Sequence, residues 1–154
     1  MEKKKPIKRH KALQPFSRQH HFGLLFSWKL RKGFSKNVEI GRMQEFAKWF
    51  YEYEIKPHFN DEEKYLFPIL GANNELIERA LKEHRRIKRL FANSNSPEKS
   101  LHQLEEELDS HIRFEERVLF NEIQNVATEA QLEKIEEIHN GIEKSPDYHD
   151  PFWE

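Results

Sequence analysis

HFNDEEKYLF at 58–67 and HIRFEERVLF at 111–120 put a histidine, two glutamates, a basic residue, a leucine and a phenylalanine at the same offsets. On a helix, residues four apart share a face and lie roughly 6 Å apart along the axis. His58 and Glu62, and again His111 and Glu115, therefore aim an imidazole and a carboxylate at one point. Imidazole suits iron, zinc and copper, while carboxylates balance charge and can bridge two metals. Helix bundles build dimetal sites from inward Glu and His on facing helices. A second copy of one helix-hairpin half accounts for the match. Without a metal, each pair would be a buried His–Glu hydrogen bond.

Working outward, apolar residues recur at helical spacing on both sides of the two segments. A first helix is expected from Pro15 to Lys32, with Gly33 as its stop. A second begins near Asn37, is bent or interrupted at Pro57, and ends near Leu70 before Gly71. A third runs from Asn74 to Ala92. Ser96 caps a fourth, with Pro97 at its first position, that runs to Asn125. Thr128 and Gln131 form a capping box for a short fifth helix ending before Gly141. The expected fold class is all-α: an antiparallel four-helix bundle with a short extra C-terminal helix. Residues 1–12 are read as a basic flexible tail, 13–126 as the bundle, and 127–154 as the short helix plus an irregular tail. Phe152 and Trp153 suggest that this last tail lies against the body.

Composition agrees with that class. Hydrophobic residues make up 36% and charged ones 34%, with only five Gly, a mix that favours helix over sheet. The absence of Cys excludes disulfides, thiolate metal sites and a cysteine nucleophile. Lys3, Lys4, Lys5, Lys8, Arg9 and Lys11 crowd the start, and the expectation is a solvated terminus that binds no nucleic acid. No apolar run follows them, so no signal peptide is read, and the apolar stretches are too short to span a bilayer. A soluble, cytoplasmic protein without membrane contact is expected.

Phase sorts the remaining histidines. His102 and His139 also precede a glutamate by four residues. His102 lies nine residues before His111, about half a turn out of phase, so it should face water. His139 lacks the surrounding motif and is also read as a surface residue. His84 has Leu81, Ile87, Leu90 and Phe91 around it and points inward. In the first helix His20 and His21 are adjacent. Leu24, Leu25 and Trp28 follow His21 at core spacing, whereas Gly23 follows His20, so His21 is favoured. Glu63 and Glu116 are rotated about 100° from Glu62 and Glu115; hydrogen bonding around the site is open to them, and surface carboxylates are the favoured reading.

The order of one His, then His-x-x-x-Glu, then one His, then His-x-x-x-Glu resembles the hemerythrin-like (HHE) cation-binding family over roughly Gln14 to Val126. The resemblance implies an up-down-up-down bundle and two non-haem Fe ions in an oxo- or hydroxo-bridged di-iron centre. The implied metal ligands are His21 or His20, His58, Glu62, His84, His111 and Glu115. Unlike the oxygen-carrying members, the chain has Lys88 where a second third-helix histidine stands, and Glu116 where their last motif has Asp. A set of four His and two Glu is similar to the repair-of-iron-centres proteins. The implied function is di-iron chemistry with, or sensing of, O2, nitric oxide or peroxide, in oxygen binding or stress response, or the handling of iron. The alternative is a non-enzymatic module that senses iron or oxygen, or stores iron, and acts through a redox or other protein partner. Whether the chain is an enzyme stays open at this level. A protonated Lys88 has no lone pair to offer, so the substitution implies rapid reaction with oxygen rather than reversible carriage.

Overall fold

The computed structural model describes residues 8–139 and 145–154, and among them all regular structure is helical. α1 spans Gln14–Ser35. α2 opens with Ile40–Phe50 and continues unbroken through Tyr51–Ile55, Lys56–Asp61, Glu62–Leu66 and Phe67–Ile69. α3 spans Glu75–Ala92, and α4 runs from Pro97–Phe114 through Glu115–Leu119 into Phe120–Val126. α5 is Glu129–His139. The arrangement is a helical bundle in which α4 packs along both α1 and α3.

Local chemistry sets the ends. Asn74 Oδ1 accepts from the backbone N–H groups of Leu76 and Ile77 at 2.9 and 3.3 Å, capping α3. Thr128 and Gln131 satisfy each other's backbone N–H groups at 3.1 and 2.9 Å, the expected capping box. Gly71 follows α2 with φ +85°, a left-handed conformation that glycine adopts without strain. Two expected signals act differently. Ser96 makes no side-chain cap, although α4 does begin at Pro97. Gly33 does not stop α1; it is buried where Met43 and Phe152 leave no room for a Cβ. The chain turns instead at Asn37, whose φ is +55°.

Pro57 does not break α2. The turn before it is widened, with the Lys56 N–H bonded to the Tyr51 carbonyl five residues back. A proline ring crowds the carbonyl four residues earlier and leaves it without a donor. That carbonyl belongs to Tyr53, and the Ser145 hydroxyl donates to it at 3.3 Å. Similar wide turns begin at Glu62 and at Glu115, where the N–H groups of Phe67 and Phe120 reach back five residues. Such turns occur mostly as single insertions inside α-helices, frequently at functional sites.

Two apolar clusters fill the bundle. One contains Phe26, Met43, Phe46, Phe50, Phe59, Ile87, Leu104 and Leu108. The other contains Leu13, Phe16, Leu66, Ile77, Ala80, Leu119, Phe120 and Ile123. Along each of the first four helices, the buried histidines and glutamates fall where the chain passes from one cluster to the other, while the buried Ser27 and Ser100 lie among the residues of the Phe26 cluster. The C-terminal tail lies against the body as expected. Phe152 is buried, and Asp150 holds the Arg42 guanidinium at 2.7 and 2.9 Å. In the basic segment read as solvated, Arg9 is bonded to Asn121, Gln124 and Glu116, and Ala12 is fully buried. Among the described residues no helix is long and apolar enough to cross a membrane.

Gly23 sits where α1 meets α4: a Cβ there would run into Cδ1 of Ile112, so that side chain would have to shift, and would touch Leu108. Gly23→Ala should cost about 1–3 kcal/mol through overpacking. Ile112→Val in the same chain should recover part of it. Urea denaturation of the native chain and the two variants checks this, and a Gly23→Ala chain more stable than native by the ordinary helix-propensity gain of about 0.5–1 kcal/mol would refute the overpacking.

Candidate metal centre

Four imidazoles and two carboxylates converge between the apolar clusters. His20 comes from α1, His58 and Glu62 from α2, His84 from α3, and His111 and Glu115 from α4. Both glutamates are 0% exposed and the four histidines 1–4%. The six form two overlapping groups: His20, His58, Glu62 and Glu115, and Glu62, His84, His111 and Glu115. Within each group the nearest nitrogen and oxygen atoms lie within 4.8 Å of one another. His58 Nε2 and His111 Nε2 each stand 3.2 Å from the glutamate one turn on. His20 Nε2 reaches both glutamates, Glu115 at 2.9 Å and Glu62 at 3.6 Å, and His84 Nε2 does the same at 3.7 and 3.2 Å. Aromatic faces close the sides: Phe59 stacks on His84 at 3.7 Å between ring centroids, and Phe120 on His20 at 5.0 Å.

Most of these inward atoms are close without being hydrogen-bonded. His58 Nε2, His84 Nε2, His111 Nε2, both oxygens of Glu62 and Glu115 Oε2 are buried with no aligned partner. Buried polar atoms are almost always satisfied, and buried charges are paired or bound to metal. Lone pairs from four neutral-capable imidazoles and two carboxylates, all aimed inward, are a donor set that fits one cation per group.

The outer ring nitrogens are all engaged. The Nδ1 atoms of His20, His84 and His111 meet Glu116, Glu63 and Glu83 at 2.8, 3.0 and 2.7 Å, and that of His58 meets Gln19 at 2.6 Å. Glu63 and Glu116 therefore take the hydrogen-bonding role, the alternative to the favoured reading of free surface carboxylates. They lean sideways onto a neighbouring helix. Gln19 and Glu83 escape a sequence reading because each serves a histidine far along the chain. Their one local signal is adjacency to His20 and His84.

The structure also corrects the first helix. His20 faces the centre, whereas His21 is exposed. The core face of α1 is Phe16, His20, Gly23, Ser27 and Leu30, and Trp28, counted toward a core face, is 47% exposed. Gly23 looked like a gap in the apolar pattern and is instead the contact that lets α4 come close. His102 is exposed, as expected, and stacks on Phe34. The side chain of His139 lies outside the described residues. Lys88 turns to the rim, its Nζ 3.8 Å from Glu63.

The model of the hemerythrin HHE cation-binding domain matches residues 18–100. The chain belongs to that family. The match covers His20, His58, Glu62 and His84, and the second motif of this hemerythrin-family chain, at His111 and Glu115, lies beyond it. No curated protein and no solved structure matches the chain. Family and geometry together make this a metal-binding protein whose buried His/Glu groups fit a cation site.

Electrostatics ties the groups together. Burial opposes charge on His20, but Glu115, Glu116 and Glu62 outweigh it and hold the imidazole well above its ordinary value. His84 is raised in the same way by Glu115, Glu62 and Glu63, and His111 by Glu115 and Glu83. Burial and the neighbouring Glu115 push Glu62 up, yet His58 and His20 prevail and lower it to about 2. The raised imidazoles stabilise the metal-free fold fully below the unfolded histidine value, about 6.5, and lose that contribution as pH rises through their folded values. The lowered carboxylates contribute fully above about 4.3 and lose it as pH falls through theirs. Metal-free protein should therefore be most stable between about pH 4.3 and 6.5, with its urea midpoint declining toward pH 9. Metal displaces the imidazole protons and should flatten the decline. A metal-free midpoint that rises from pH 6.5 to 9 would contradict this electrostatic reading.

Proposed function

We propose that this protein is a non-haem di-iron protein of the hemerythrin type that reacts with or senses O2, nitric oxide or peroxide, or handles iron. The observation that carries the reading is the pair of overlapping buried groups sharing Glu62 and Glu115. Two cations held in adjoining groups would repel each other, and the carboxylates common to both groups, Glu62 and Glu115, would offset that repulsion. His20 and His58 would complete one position, His84 and His111 the other. Imidazole and carboxylate together suit iron in either oxidation state. A pair of irons held there would supply one-electron steps to a small bound molecule.

The chain's own part is to hold, orient and shield. The wide turns at Glu62 and Glu115 set both carboxylates inward at equivalent places in the two halves. Phe59, Phe67 and Phe120 pack against the imidazoles and keep bulk water away. A cavity of about 10 Å3 lies against His20, His58 and His111, walled by Phe50, Ile55 and Ile112. That volume is at the threshold for a single water molecule, so the interior beside these histidines has no space for a large substrate. Lys88, paired with Glu63, supplies no donor to the centre. We also infer the up-down-up-down topology: α1 and α3 pass from the Phe16 cluster to the Phe26 cluster, and α2 and α4 pass the other way.

Iron analysis of anaerobically loaded protein should find two irons per chain. Glu62→Ala or Glu115→Ala should remove both while the helices persist by circular dichroism. His20→Ala should lose iron, whereas His21→Ala and His102→Ala should retain it. Full occupancy in either glutamate variant would rule out the shared-carboxylate assignment.

A further inference from the structure

The outer supports of the four imidazoles follow the internal repeat at every position but one. His20 and His84 lean on Glu116 and Glu63, the residues after the two inner glutamates. His58 and His111 lean on the residues before His20 and before His84, which are Gln19 and Glu83. Three supports are thus carboxylates and the fourth is a neutral amide. Each carboxylate is anchored in turn by a cation: Arg9 holds Glu116 at 3.1 Å, Lys88 approaches Glu63 at 3.8 Å, and Arg79 holds Glu83 at 3.0 Å.

An imidazole that offers Nε2 to a metal carries its proton on Nδ1 and donates it outward. Donation to a carboxylate strengthens Nε2 as a ligand and fixes the ring, and removing such a support typically costs about 10–100-fold in metal affinity. An amide oxygen carries no full charge and polarises the ring less. At the His84 and His111 position both rings are supported by carboxylates. At the His20 and His58 position only one is.

We propose that the two metal positions are unequal, the His84–His111 position binding first and the His20–His58 position second, and that Gln19 is the positioning residue that creates the difference. The inference rests on the di-iron reading given above. It follows that the two ions are released in order, the one beside His20 and His58 leaving first.

Anaerobic titration of metal-free protein with Fe(II) against a competing chelator tests this. Native protein should take up two ions in separate steps, the second about 10–100-fold weaker. Gln19→Glu should tighten the second step about 10-fold and leave the first in place, a gain that loss of packing cannot produce. Glu83→Gln should weaken the first step and leave the second, so the two converge from the other side. Two equal steps in native protein, or a Gln19→Glu chain whose second step is unchanged or weaker, would overturn the proposal. Uptake of fewer than two ions by native protein would instead remove the di-iron reading, and this inference with it.

Discussion

Two carboxylates with no exposure to water, packed between four imidazoles, are the constraint on which this structure turns. Moving a charged carboxylate out of water costs several kcal/mol even after relaxation, and no backbone N–H is offered to Glu62 in return. The compensation has to come from positive charge, either protons on the imidazoles or bound cations. Everything around the centre serves that compensation. The wide turns place the carboxylates, the phenylalanines exclude water, and an outer layer of Gln19, Glu63, Glu83 and Glu116 fixes the rings.

The same constraint explains why the bundle has two apolar clusters rather than one. Ionisable groups cannot be spread through a hydrophobic core, so the helices confine their buried histidines and glutamates to one level and pack apolar residues above and below. Those clusters supply the burial that holds four helices around like charges. The close α1–α4 contact at Gly23 lies next to that level. His20, on the same face of α1, reaches Glu115 and Glu116 on α4.

Much of this was legible in the chain because it is local and periodic. His58, Glu62, His111 and Glu115 declare themselves through repeated spacing, and His84 through the apolar residues around it. The capping box at Thr128 and the turn at Gly71 are equally local. What could not be read depends on partners distant in sequence. The choice of His20 over His21 hinges on Gly23 acting as a contact, visible only when Ile112 is placed opposite it. The supports of the imidazoles sit beside a ligand in sequence yet serve a different helix, as Glu116 does for His20. Local spacing predicts a bend or an interruption at Pro57, because the wide turn before it, and the Ser145 hydroxyl that meets the Tyr53 carbonyl, leave no trace there.

The most direct test of the central claim is anomalous diffraction at the iron edge from crystals of anaerobically loaded protein. Two iron peaks are expected, one among His20, His58, Glu62 and Glu115, the other among Glu62, His84, His111 and Glu115. A single peak, or iron bound only outside these six residues, would contradict it.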